Sequence, residues 1–231
     1  MGSCLSLGGR PLRAALIDLD GTMVDTLGDF HAALNRMLPE FDLPAVSREQ
    51  VALRIGKGSE HLVRQTLAIS LEAAAVASRF EAALAAYQRH YAVVNGHHAA
   101  VFPGVFEGLE QLRQAGLALA CLTNKPSAYA RELLRQKDLL GFFAEVAGGD
   151  TYARKKPDPL PLLATCRRLG VDPASTLMVG DSQNDAMAAA GAGCPVALAT
   201  YGYNHGEPIF ATPALAYFDR LDRLQLPAAA A

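Results

Sequence analysis

Residues 15–26 read ALIDLDGTMVDT, and the first six of them decide the fold. Ala15, Leu16 and Ile17 are apolar, and two carboxylates, Asp18 and Asp20, follow two residues apart. In extended chain, residues i and i+2 point to the same side. Unit charges roughly 6–7 Å apart repel by about 2–3 kcal/mol at an effective dielectric near 20. A DxD pair at the end of a strand is, taken alone, commonly a turn or a cap. The rest of the chain changes that reading.

Further short apolar runs lie downstream, at residues 117–123 (LALACLT), 145–147, 176–181 (TLMVGD) and 195–200, with an edge strand expected around Tyr217. Helical patterns separate them. Ser127 is placed to cap a helix over residues 128–136. Asp158-Pro159 opens another that runs to about Arg168 and stops at Gly170, and a short one covers residues 184–190. Alternating strands and helices imply an α/β fold, a Rossmann-like parallel sheet with helices on both faces. In such sheets ligands bind beyond the carboxyl ends of the strands. Residues 25–101 break the rhythm with helical periodicity over 27–38, 47–53, 60–69 and 71–94 and no convincing strand. The expected organisation is therefore an α/β core of residues 1–24 and 102–231, interrupted by a helical insertion of residues 25–101.

The chain has 231 residues, 51% hydrophobic and 19% charged, enough for a full core. Its formal net charge of −2 gives no reason to expect a nucleic-acid partner. No apolar run reaches membrane-spanning length, since the Ala-rich stretch 71–86 is broken by Glu72, Arg79 and Glu81. Cys4, Cys121, Cys166 and Cys194 form no CxxC pair, which points to reduced thiols and a cytoplasmic protein. The N-terminal MGSCLS fits a loose myristoylation pattern that recurs often by chance, and a floppy leader is the plainer expectation. The tail, residues 228–231, is expected to fray.

Three strands end in polar residues. The first ends at Asp18 with Asp20 beyond, the second at Thr123-Asn124, and the fourth in GDSQND, which carries Asp181 and Asp185. Between them RKKPDP supplies Lys155 and Lys156. Each piece alone has a bland reading as a turn, an Asx-turn or a solvated loop charge. Their order and shared position at strand ends make that joint reading far weaker. If the tips converge, four carboxylates need a cation, and an all-oxygen donor set without a His or Cys cluster favours Mg²⁺ over zinc. Such a site suits a phosphoryl group, and a carboxylate can itself attack phosphorus.

The succession DLDGT, TN, KP and GDSxND resembles the haloacid-dehalogenase-like phosphohydrolases, with all four motifs in the family's order. The resemblance implies a helical cap after the first motif and a set of roles. Asp18 would be the nucleophile that becomes an aspartyl phosphate. Asp20 would protonate the leaving oxygen and then activate water. Asp18, the backbone carbonyl of Asp20 and Asp181 would hold Mg²⁺, with Asp185 alongside or one shell out. Thr123 and Asn124 would bind the phosphoryl group, and Lys156, just before proline, matches the family lysine better than Lys155. A carboxylate at Asp20 argues against dehalogenases and phosphonoacetaldehyde hydrolases.

GGDTYARKKPDPLPLL, GDSQNDAMAAAGAGCP, TYGYNHGEP and RIGKGSEHLV are similar to the phosphoglycolate phosphatase branch of that family. This implies 2-phosphoglycolate as substrate; N-acetylmuramic acid 6-phosphate or sugar phosphates are the alternatives. Arg54 and Lys57, beside Gly56 and Gly58, are candidates for binding a small carboxylate, against an incidental surface turn. The expected partner is a small phosphorylated metabolite, and the expected assembly a monomer or homodimer. From a different class, a phospho-acceptor signalling module also clusters acids and a lysine at parallel strand ends. The large helical insertion and Asp20 count against it.

Overall fold

In the computed structural model, residues 5–7 and 10–226 are described. Most of the MGSCLS leader, with Cys4, and the tail at residues 228–231 lie outside them. The centre is a six-stranded parallel sheet: β1 (Ala14–Ile17), β2 (Ala118–Leu122), β3 (Glu145–Ala147), β4 (Thr176–Gly180), β5 (Val196–Ala199) and β6 (Ala216–Phe218). Their spatial order is β6-β5-β4-β1-β2-β3. The chain thus builds outward from β1 on one side, then returns to build on the other. The gap between β1 and β4 is where the winding reverses, the place at which such sheets open a crevice.

Register carries the first-strand motif to that crevice. Ile17 pairs with Cys121 of β2 and with Val179 of β4. One residue further, Asp18 is level with Leu122 and Gly180, just before Thr123 and Asp181. Successive β1 residues face opposite ways, so Ala15 and Ile17 join one apolar cluster and Leu16 the other. On the first face lie α5 (Val105–Gln114) and α6 (Ser127–Gln136), through Leu109, Leu133 and Leu134. On the second lie α7 (Leu160–Leu169) and α8 (Gln183–Ala192), through Leu162, Cys166 and Ala189. Gly170 stops α7 in the left-handed conformation, as its position after the apolar run implies.

Between β1 and α5 run α1 (Leu27–Met37), α2 (Arg48–Ala52), α3 (Ser59–Leu67) and α4 (Ala73–Val94). They share an apolar cluster of their own, including Phe30, Leu34, Leu62, Phe80, Tyr87 and Tyr91. A reciprocal Ser47–Gln50 capping box starts α2. Two local expectations are corrected. Residues 25–101 are not free of strand: Val24–Asp25 pairs antiparallel with Ala100–Val101, closing the two ends of the insertion side by side. Ser127 does not cap α6 but is its first residue, and its N–H donates to the Asp150 carboxylate at 2.8 Å.

Candidate active site

The floor of the crevice is a set of buried charges. Lys156, 3% exposed, donates to Asp185 Oδ1 at 2.7 Å and to the Leu122 carbonyl at 2.8 Å. Its Nζ also lies 2.9 Å from Asp18 Oδ1. Burial opposes the Lys156 charge, but Asp18 and Asp185 outweigh it and hold the ammonium above its ordinary range. Burial pushes the Asp18 carboxyl up to about 7; Lys156 opposes this, and Asp185 and Asp20 add to it. Asp181 is raised for the same reasons, burial first and then Asp185 and Asp18.

Glycines make room for these acids. A Cβ on Gly21, whose φ is +87°, would come within 2.2 Å of Asp181 Oδ2, and so would one on Gly202. The DGT turn therefore requires glycine twice over, for conformation and for space. Asp181 accepts from the Thr22 hydroxyl at 3.0 Å and the Tyr203 N–H at 2.5 Å. Asp185 Oδ2 accepts from the Ser182 hydroxyl at 2.8 Å, so this acid both caps α8 and orients Lys156.

Carboxylate oxygens of Asp18, Asp181 and Asp185 lie within 4.8 Å of one another. Asp18 Oδ1 is buried and, despite its closeness to Lys156, lacks a well-directed hydrogen bond among the described residues. Three hard-oxygen donors, two with raised pKa values and one with an unpaired oxygen, fit a divalent cation. The Asp20 carboxylate is not in this group. It pairs with Lys125, whose Nζ is 2.8 Å from Asp20 Oδ1. Asp18 and Asp20 are thus each matched to a different lysine.

Lys125 is the charged side chain of this crevice that sequence reasoning missed. The signal was present, since Lys125 directly follows Thr123-Asn124. Thr123 lines the crevice, and its Oγ1 accepts the Lys125 N–H at 3.1 Å. Asn124 also reaches the site, but its amide donates to the carbonyls of Gly56 (2.9 Å) and Lys156 (2.8 Å). It fastens the loop between α2 and α3 to the floor. Asn184 donates to the same Gly56 carbonyl at 3.2 Å and contacts His205 at 3.2 Å. Burial holds His205 down at about 4, with Lys57 and His61 adding to the effect.

The remaining candidates are further out. Arg54 donates to the backbone carbonyls of Gln50 (2.5 Å) and Gln65 (3.2 Å), tying α2 to α3 rather than facing the acids. Lys57 lines a groove with His61, Arg64 and Lys155 that also reaches Lys156 and Asn184. Lys155 pairs with Glu60 of α3 at 3.2 Å, at the surface. The crevice itself is roofed by Ile55, Gly56, Gly58, Ser59 and Leu62 and walled by Phe30 and Tyr91. The space left inside is about 20 Å³, room for about one water.

Paired acids, two buried lysines and an oxygen-only triad at the switch point of a parallel sheet are the features of one class of hydrolase. Residues 15–199 match the family model described as haloacid dehalogenase-like hydrolase, and the chain belongs to that family. It is 42% identical over 199 residues to a phosphoglycolate phosphatase of Thiobacillus denitrificans, covering 86% of this chain and 88% of that one. It is 47% identical over 195 residues to a plasmid-borne phosphoglycolate phosphatase of Cupriavidus necator, covering 84% and 83%. The crystal structure of a predicted phosphoglycolate phosphatase from Haemophilus somnus superposes with a TM-score of 0.83 at 32% identity, covering 91% of this chain and 95% of the other.

Proposed function

We propose that the chain, a phosphoric monoester hydrolase, hydrolyses 2-phosphoglycolate to glycolate and phosphate through an aspartyl phosphate on Asp18. The observation that carries the reading is the separation of the two neighbouring acids. Asp18 sits against Lys156 and the acidic triad, and Asp20 sits apart on Lys125. In this reading a carboxylate oxygen of Asp18 attacks phosphorus while the ester oxygen departs with a proton from Asp20. Asp20 then takes a proton from water as that water attacks phosphorus, restoring Asp18. Thr123 and Lys156 bind the phosphoryl oxygens.

Asp18, Asp181 and the Asp20 backbone carbonyl would hold Mg²⁺, with Asp185 beside them. Bound there, Mg²⁺ offsets the charge that accumulates on the phosphoryl oxygens. We assign residues 25–101 as a cap over a core of residues 1–24 and 102–231. With room for about one water in the crevice, a phosphomonoester enters only when the loop over it lifts. Substrate choice then falls to what the roof and walls allow. Among the described residues no helix is long and apolar enough to cross a membrane. Cys121, Cys166 and Cys194 are buried free thiols, which supports a reducing, cytoplasmic setting.

The test is phosphate release with Mg²⁺ from 2-phosphoglycolate, N-acetylmuramic acid 6-phosphate and several hexose phosphates, compared by kcat/KM. The reading expects 2-phosphoglycolate to lead by at least about tenfold, a difference of ~1.4 kcal/mol in transition-state binding. A larger ester in front overturns the substrate assignment. A phospho-Asp18 that forms from acetyl phosphate and persists for minutes without turnover overturns the hydrolase mechanism in favour of a signalling acceptor.

A further inference from the structure

We propose that Lys125 is the specificity residue for this reaction, binding an anionic group on the leaving half of the substrate. The inference rests on the 2-phosphoglycolate reading and names the residue that enforces it. Lys125 is 4% exposed and lines the small crevice. Among the described residues Asp20 Oδ1 is the one hydrogen-bond acceptor of its ammonium, at 2.8 Å. An ammonium has three donors, so two remain. The ammonium lies over two aromatic faces: Nζ is 4.5 Å from the Phe30 ring centre and 5.0 Å from that of Tyr91. Cation–π contacts hold an ammonium in place but leave it short of hydrogen bonds, and a carboxylate supplies them.

The other buried lysine is differently placed. Lys156 donates to Asp185 and to the Leu122 carbonyl and is ion-paired with Asp18 at 2.9 Å, so acids and a carbonyl surround it. It is committed to the side where phosphorus is attacked. Lys125 is committed to Asp20, the side from which the leaving oxygen departs. In 2-phosphoglycolate a single methylene separates that oxygen from the carboxylate. An ester oxygen held by Asp20 therefore brings the carboxylate to Lys125. Next to this point Gly58 and Ser59 present the start of α3, which among the described residues has no side-chain cap and carries the positive end of the helix dipole. The side chains of Phe30 and Leu62 offer nothing to a sugar's hydroxyls.

A purely structural Lys125, present only to neutralise Asp20, makes a different prediction, and two esters separate the two. Steady-state kinetics with Mg²⁺ are compared for 2-phosphoglycolate and for 2-hydroxyethyl phosphate, its uncharged analogue. The wild-type protein is expected to favour the carboxylated ester. Lys125→Gln keeps a hydrogen bond to Asp20 but loses the charge. It is expected to lower kcat/KM for 2-phosphoglycolate about 10–100-fold more than for the analogue, mainly through KM, the range of one charge-assisted hydrogen bond. Lys125→Arg is expected to restore part of the preference.

A variant that loses both activities equally, or keeps the wild-type preference, overturns the assignment of Lys125 alone. A wild-type protein that does not distinguish the esters overturns the substrate reading and Lys125's role with it. If the Gln variant does not fold, product inhibition of wild-type p-nitrophenyl phosphate turnover decides. Glycolate is expected to inhibit where ethylene glycol at equal concentration does not; equal behaviour of the two overturns the proposal.

Discussion

The floor of the crevice and its roof meet the same small space but are held in opposite ways. On the floor, buried lysines are locked to buried acids: Lys156 at 2.7 Å from Asp185, and Lys125 at 2.8 Å from Asp20. Among the described residues the roof, residues 55–59, is hydrogen-bonded to that floor through one backbone carbonyl, Gly56, which receives two asparagine amides. Charges out of water must be paired or the structure fails, so the floor tolerates little movement. Neutral hydrogen bonds contribute about 0.5–1.5 kcal/mol each, so a roof held by two of them can part at modest cost. A rigid charged floor under a lightly fastened roof is what a site needs when its substrate must enter and then be enclosed.

The contrast breaks first if the floor proves soft. Lys156→Met leaves Asp18 and Asp185 buried without their shared cation. The expected loss is about 3–5 kcal/mol of stability, with activity down by at least roughly 10²-fold. Adding Asp185→Asn to Lys156→Met should recover part of the stability but not the activity. Thermal melts and phosphate release on the single and double variants check both. A single variant that melts within a degree or two of wild type would refute the locked floor.

A smaller effect should come from pH in protein freed of divalent cations. Asp18 in the folded state titrates at about 7, from an ordinary 3.8. Between those values the folded protein holds a proton that the unfolded chain has lost, so stability falls as pH rises through this window and levels off above about 7. Asp18→Asn has no such proton to lose. Its melting temperature, relative to wild type, should therefore climb by several degrees from pH 5 to pH 8. Added Mg²⁺ should raise the wild-type melting temperature most at the upper end. A difference between the two proteins that is flat across this range removes the strain on Asp18.

What was legible in the chain follows the same divide. Asp18, Thr123 and Asp181 announce themselves because each ends an apolar run, and parallel register carries strand ends to one edge. The β-α alternation likewise gave the sheet and its two helical faces. Lys125 stands directly after Thr123-Asn124, yet its meaning depends on Asp20, 105 residues earlier, and on rings from α1 and α4. No local pattern encodes that meeting. Arg54 drew attention as a cation near two glycines, but a long side chain can turn either way, and the carbonyls of Gln50 and Gln65 take it. The strand pair at residues 24–25 and 100–101 is two residues long, too short to leave a period in the sequence.

The smallest expected effect is at the roof and sharpens the contrast most. Asn184 and Asn124 both donate to Gly56, but Asn124 also donates to the Lys156 carbonyl, so its loss would disturb the floor as well. Asn184→Ala removes a roof fastening and a His205 contact while leaving every floor ion pair in place. Stability should fall by no more than about 1 kcal/mol. The opening equilibrium of the roof should shift by the same amount, about fivefold, because the bond exists only while the roof is down. KM should rise a few-fold if closure grips the substrate, and kcat should rise instead if lifting the roof for product release limits turnover. Steady-state kinetics with the viscosity of the medium varied separate the two, since only release-limited turnover slows in viscous buffer. A variant whose melting temperature drops as far as that of Lys156→Met would mean that roof and floor form one rigid unit, and the distinction between them would be lost.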